Sequence, residues 1–240
     1  MQPITDMHCH ILPGVDDGPK TMKESVHVIA EAWRQGIRCM IVTPHYHPGR
    51  YVVENSTILE VLEDVREACR HNGIPRMFLP GQECYWYSGL IDALDKGIAL
   101  TMNYTSYVLV EFEPETVYSN IIQAIRALTN SGYIPIIAHF ERYRCLRERI
   151  DRLDELHELG AYLQMNFDRI LDKDTFFHRN PWRRLLLQDT VDFLGSDTHG
   201  MNFRPLHVND SVRWMDEHMR EDLEWEILER NIHLLIDGEA

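Results

Sequence analysis

The feature that most constrains this chain is an alternation. Short β-prone runs, then a turn, then a helical pattern follow one another about seven times along 240 residues. Residues 4–9, 37–43, 76–80, 106–112, 133–138, 161–166 and 191–195 read as strands. Residues 20–36, 56–72, 88–96, 117–131, 147–159, 173–188, 208–219 and 221–235 read as helices, the one at 173–188 broken or restarted near Pro181. In the first helix Val26, Ile29, Ala30 and Trp33 recur at helical spacing and Gly36 supplies the stop. Pro135 weakens the fifth strand, because proline removes a ladder donor. Strands separated by helices imply parallel pairing with right-handed crossovers. The fold class is therefore α/β, either a barrel or an open doubly wound sheet.

Where the polar residues fall decides between the two. Asp6-Met7-His8-Cys9-His10 closes the first strand, and its two imidazoles share a side if the segment is extended. The second strand runs into Thr43-Pro44-His45-Tyr46-His47, the third into Gly81-Gln82-Glu83, and the fourth ends at Glu111. The fifth leads to His139-Phe140-Glu141-Arg142, the sixth ends at Asn166, and the seventh leads to Ser196-Asp197-Thr198-His199. Barrels assemble their sites from the C-terminal ends of all strands, whereas open sheets use one switch point. A closed or nearly closed barrel is expected, as a single domain over residues 1–240.

The residues at or just beyond those ends are of types that ligate metals. His8, His10, Asp17, His45, Glu83, Glu111, His139, Asp197 and His199 are enough for two or three ions. Imidazoles mixed with carboxylates suit Mn, Fe, Zn or Co better than Mg or Ca. Two ions roughly 3.5–4 Å apart polarise a phosphoryl oxygen and activate water. Arg142 and Arg204 follow closely on His139 and His199, and guanidinium forks match phosphate oxygens.

Bulk properties exclude several classes. A formal charge of −14 argues against nucleic acid or an anionic membrane as the main partner. No apolar run reaches the roughly 18 residues of a membrane span, and no signal peptide is expected. Five cysteines without a Cys-x-x-Cys pair fit a reducing cytoplasm. None has an arginine six residues on, so the Cys-x5-Arg chemistry of cysteine-dependent phosphatases is absent.

Asp-x-His-x-His, Val15-Asp16-Asp17-Gly18-Pro19-Lys20-Thr21, Thr-Pro-His, Gly-Gln-Glu, Val-Glu-Phe, Ala-His-x-Glu-Arg-Tyr and Ser-Asp-x-His…Arg-Pro together resemble the PHP (polymerase and histidinol phosphatase) superfamily. Within it the order and spacing are similar to the bacterial protein-tyrosine phosphatases of capsular and exopolysaccharide operons, from residue 4 to about residue 206. The resemblance implies a distorted (β/α)7 TIM-like barrel and a trinuclear site, usually supported by manganese, with Fe, Zn, Co or Mg as other candidates. It implies the same nine ligands. It further implies that Arg142 and Arg204 bind phosphate, with Asp197 and His199 in the catalytic group. The implied substrate is a phosphotyrosine protein, the tyrosine autokinase that controls capsule synthesis.

The remaining residues carry plainer expectations. His27, His71, His157, His178, His207, His218 and His233 lie outside the motifs and are expected to face solvent. The resemblance selects Asp17 over Asp16, which can instead cap its loop. Full alternation puts Asp6 on the face of His8 and His10, as supporting partner to a histidine. Cys9 is expected to point away, into packing. Glu141 is expected to pair with an arginine on the surface. Tyr85, Trp86 and Tyr87 serve as packing or as a substrate wall, and His47 is not carried over as a ligand. Two activities compete on this barrel: phosphotyrosine hydrolysis, and hydrolysis of a small phosphomonoester of the histidinol phosphate kind. A non-catalytic scaffold is disfavoured by the full ligand set.

Overall fold

The computed structural model describes residues 4–75, 77–174 and 180–237. Nine strands occur among them: β1 Ile4–Cys9, β2 Ile37–Val42, β3 His45–Tyr46, β4 Met77–Pro80, β5 Glu83–Tyr85, β6 Tyr107–Glu111, β7 Ile134–Ile137, β8 Tyr162–Asn166 and β9 Phe193–Gly195. All pair in parallel, in the orders β1-β2-β4 and β3-β5-β6-β7-β8-β9. Two strands of the expected seven are each broken in two. Thr43-Pro44 separates β2 from β3, and Gly81-Gln82 separates β4 from β5. The breaks are bridged by Thr43 N–H to the Cys9 carbonyl (2.9 Å) and Glu83 N–H to the Pro44 carbonyl (3.2 Å). The last strand then returns to the first: Asp197 N–H donates to the His8 carbonyl (2.7 Å) and His10 N–H to the Thr198 carbonyl (2.9 Å). Seven strand positions thus curl into a parallel barrel, the alternative that the polar residues at the strand ends favoured over an open sheet. At this seam the chains approach closely, and a Cβ placed on Gly195 would stand 2.6 Å from His8 Cβ.

The helices are α1 Met22–Arg34, α2 Asn55–His71, α3 Leu90–Asp95, α4 Tyr118–Asn130, α5 Arg144–Arg147, α6 Arg152–Glu158, α7 Pro181–Leu187, α8 Val208–His218, α9 Glu221–Trp225 and α10 Asn231–Asp237. Thr21 caps α1 by accepting from Glu24 N–H (3.3 Å), and Val28, Ile29 and Ala32 bury its inner face. Two apolar layers result. One lies between strands and helices; the other fills the barrel with Met7, Ile41, Leu109, Ile136 and Phe193. Ile232 and Leu235 of α10 close the lower end of that interior. Each such fully buried aliphatic contributes about 1.5–3 kcal/mol. With the lower end filled by apolar side chains, the polar strand ends have only the opposite mouth.

Several boundaries differ from the sequence expectation. Pro135 is accommodated because Ile134 N–H and Ala138 N–H face β6, so the missing donor faces β8, where pairing starts only at Ile136. The expected helix 147–159 starts later, as α6 at Arg152; α5 ends at Arg147, where that helix was expected to begin. The helix expected over 173–188 does restart at Pro181, as α7, with Asn180 accepting from Trp182 and Arg183 N–H, and residues 175–179, including His178, lie outside the described residues. Among the described residues no helix is long and apolar enough to cross a membrane.

Candidate metal centre and phosphate site

The local structure of β1 sets the centre. From Asp6 to Cys9 it advances three residues while β2 advances two, from Met40 to Val42. This bulge inserts one residue and resets the alternation. Met7 therefore faces the interior with His8 and His10, and Asp6 does not share their face. Its carboxylate accepts from Ser196 Oγ (2.5 Å), Ser196 N–H (2.8 Å) and His8 N–H (3.3 Å), so it joins first strand to last. The expected contact with an imidazole is not made. Burial pushes the Asp6 carboxyl up to about 6 against the pull of those hydrogen bonds. Cys9 points to the packing side, its thiol toward the Ile41 carbonyl.

The breaks after β2 and β4 bring His45 and Glu83 beside one another across the β3–β5 pair. Glu83 is the centre of the cluster. Its Oε1 lies 2.7 Å from His139 Nε2 and 3.4 Å from His8 Nε2. Its Oε2 lies 3.0 Å from His45 Nδ1 and 3.3 Å from His10 Nε2. Glu111 Oε1 approaches His45 Nδ1 at 3.2 Å, and Asp17 Oδ1 stands 3.4 Å from His199 Nε2 and 3.5 Å from His45 Nε2. Four groupings result: His10, Asp17, His45 and His199; His8, His10 and Asp197; His8, Glu83 and His139; His45, Glu83 and Glu111. Within each, the donor atoms lie within 4.8 Å of one another. All nine residues expected from the sequence fall into them, and among the described residues no tenth does.

A hydrogen-bond chain fixes which atoms face inward. Asp197 Oδ2 accepts from Asn166 Nδ2 (3.1 Å), and Asn166 Oδ1 accepts from Gln164 Nε2 (3.0 Å). Gln164 Oε1 then accepts from His139 N–H (2.8 Å) and His8 Nδ1 (2.9 Å). His10 Nδ1 donates to Asp16 (2.7 Å), and His199 Nδ1 to the Asp197 carbonyl (2.9 Å). With these Nδ1–H groups committed, Nε2 of His8 and of His10 face each other at 3.2 Å. Two lone pairs at that distance repel unless a cation or a proton lies between them. Glu83 Oε2, His45 Nδ1 and Asp17 Oδ1 are buried without a hydrogen bond. Buried ligating atoms left without a hydrogen bond inside these groupings, with the far sides of His8, His10 and His199 tied down, fit divalent cations.

The electrostatics agree. Burial works against charge on Asp197, but Arg142, His8 and His139 hold it well below the carboxylate range. Burial likewise opposes charge on Glu83, yet the surrounding imidazoles, His8 first, keep it ionised. Without a cation, burial lowers His45 and His10, but Glu83 pushes His45 up to about 11 and Asp16 pushes His10 up to about 9. Burial and Arg142 depress His139; burial and His10 depress His199.

Asp197 links this centre to two cations. Its Oδ2 accepts from Arg142 Nη2 and from Arg204 Nη1 (3.1 Å). His139, Asp197 and Arg204 have φ of 30°, 50° and 48°, left-handed values that cost a non-glycine residue about 1–2 kcal/mol. The strain sits at the residues that aim the site.

Beside the arginines opens a cavity of about 250 Å³. Its walls include His47 stacked on Tyr85 (4.0 Å) and Tyr51 stacked on His45 (5.3 Å). Of the three aromatics after Glu83, only Tyr85 lines it; Trp86 and Tyr87 pack against the core, and Tyr87 meets the Tyr46 hydroxyl. Sequence reasoning missed Tyr51 and Arg50, which lie on an irregular segment with no motif to mark them. Asp16 orients His10 and also caps its loop through Gly18 N–H (3.0 Å). Glu141 is not on the surface: it is buried, accepts from Asn166 N–H (3.4 Å), and burial raises its carboxyl to about 7 against Arg142. Of the histidines outside the motifs, His157 is half-buried against Asp192 (2.8 Å) rather than free in solvent.

Fold and ligand set together place the chain in the class of metal-dependent barrel hydrolases. The phosphotriesterase from Mycobacterium tuberculosis shares the fold, with a TM-score of 0.60 at 16% identity over 98% of this chain and 94% of that one. The family model for capsular polysaccharide synthesis, CpsB/CapC, matches residues 4–237, and the chain belongs to that family. The tyrosine-protein phosphatase YwqE of Bacillus subtilis is 33% identical over 99% of this chain and 93% of its own. The tyrosine-protein phosphatase CpsB of Streptococcus agalactiae is 32% identical over 84% of this chain and 85% of its own. A crystal structure from work on YwqE and on CpsB of Streptococcus pneumoniae, described as unique metal-dependent tyrosine phosphatases, superposes with a TM-score of 0.89. There the identity is 32%, over 99% of this chain and 96% of the other.

Proposed function

We propose that this protein is a metal-dependent protein-tyrosine phosphatase acting in the cytoplasm on a tyrosine autokinase of capsular or exopolysaccharide synthesis. The observation that carries the reading is the juxtaposition of Arg142 and Arg204 on Asp197 with an aromatic-walled cavity beside nine metal ligands. His8, His10, Asp17, His45, Glu83, Glu111, His139, Asp197 and His199 would hold two or three ions; their mixed imidazole and carboxylate donors suit Mn, Fe, Zn or Co, and the family resemblance favours manganese among them. When bound, such ions supply Lewis acidity and lower the pKa of water.

The chain's own residues do the rest. Arg142 and Arg204 transfer their forks from Asp197 to the phosphoryl oxygens and offset charge on the transferring group. Tyr85, backed by His47, gives the phenol ring a flat wall. A tyrosine leaving group, with a pKa near 10, needs little protonation. The test is a comparison of kcat/KM for a phosphotyrosyl peptide and for histidinol phosphate, after chelation and re-addition of Mn, Fe, Zn, Co or Mg. The peptide is expected to be preferred by roughly tenfold or more, through the pocket walls. Preference for the alkyl phosphate would overturn the reading.

Asp16 and Asp17 separate in the same experiment. Asp16 touches no other ligand group than His10 and the His45 N–H (3.1 Å). Asp16→Ala is expected to weaken metal affinity about 10–100-fold, as loss of an orienting carboxylate does. Titration of the chelated protein with manganese measures it. An unchanged affinity would leave Asp16 as a loop cap alone.

A further inference from the structure

A second cavity of about 410 Å³ adjoins the first, and Asp17 lines both. One wall is the start of α1 with Glu24 and His27; the other is the segment after His199, with Met201 and Phe203. Phe203 is 58% exposed and Met201 37%. Phe203 is nevertheless fixed. Its ring meets the His199 imidazole edge-on at 5.8 Å, and the Arg204 guanidinium lies over it at 5.3 Å. An aromatic ring held in place yet left open to solvent, directly beside the reacting centre, is a binding wall rather than core.

We propose that this cavity receives an apolar side chain of the substrate polypeptide, from a residue flanking the phosphotyrosine. The inference rests on the phosphatase reading. A phosphotyrosine ring and its phosphate fill the first cavity of about 250 Å³, so the neighbouring residues of the substrate must leave over its rim. Asp17 stands between the two, lining the first cavity on one side and the second on the other. Met201 and Phe203 give the second cavity exposed apolar surface on which an aliphatic or aromatic side chain can pack, and the Asp17 and Glu24 carboxylates on the same walls disfavour an acidic one. The occupant is thus continuous with the substrate already in the site, not a separate ligand.

The test uses a phosphotyrosyl peptide whose flanking positions carry Leu or Gly in turn, with 4-nitrophenyl phosphate as a substrate that has no flanks. Wild type is expected to prefer Leu over Gly by about tenfold in kcat/KM at one flanking position. His27→Trp, which fills the cavity, and Met201→Asp, which puts charge on its wall, are each expected to bring that preference close to unity. The ratio of peptide to 4-nitrophenyl phosphate turnover should fall in parallel. No Leu preference in wild type, or the same preference in both variants, would overturn the subsite while leaving the phosphatase reading intact. If wild type cleaves no phosphotyrosyl peptide at all, both fail together.

Discussion

Replacing Glu83 by Gln should lower kcat/KM for a phosphotyrosyl peptide by roughly 10³-fold, as loss of a buried electrostatic anchor does. It should also strip most of the bound metal. Gln keeps the shape and removes the charge that four imidazoles share, those of His8, His10, His45 and His139. The variant should still fold, because the barrel interior is built from apolar residues below the ligands. Elemental analysis with steady-state kinetics checks the result, and near-normal turnover with full metal content would contradict the assignment. The metal-free proteins should differ in a second way. In wild type the folded His10 and His45 are raised from 6.5 to about 9 and about 11. A raised imidazole contributes stability that is full below its unfolded value and fades as pH rises through the folded one. Chelated wild type should therefore lose stability between about pH 6.5 and 11, and Glu83→Gln should flatten that slope. Thermal unfolding at stepped pH measures both.

Arg142→Ala and Arg204→Ala are each expected to cost about 10²–10³-fold in kcat/KM while metal content stays near normal. Inorganic phosphate should inhibit both variants more weakly than wild type. Both guanidinium groups meet Asp197, so the double variant should lose less than the product of the single losses. Lysine should restore little at either position, because a point charge cannot reproduce a planar fork. Loss of metal with loss of Arg142 would instead make it a structural partner of Asp197.

What could be read from the chain alone follows the range of the interactions concerned. The alternation of strands and helices is local, and so is the placement of a ligand at each strand end. His8, Glu83, His139 and Asp197 were legible for that reason. Asp6 was not. Its partner Ser196 is 190 residues away, and a one-residue bulge moved Asp6 off the face that simple alternation gave it. Glu141 looked like a surface charge because nothing near it in sequence shows that β8 covers it through Asn166. The late start of the helix expected at 147–159 was hidden by a run of charges that favour helix yet bury little. Tyr51 carries no motif, and the part of His47 as a wall rather than a ligand shows only when folding stacks the two on His45 and Tyr85.

The seam between the first and last strands has a consequence for how such a molecule is made. Its ligands begin at His8 and end at His199, and they meet only when Asp197 and Thr198 lie against His8 and His10. During synthesis the first two histidines emerge long before their partners, and no complete site exists until nearly two hundred residues have followed. On the proposed ligand set, ion capture is then a late event, one that rewards only a chain that has finished wrapping.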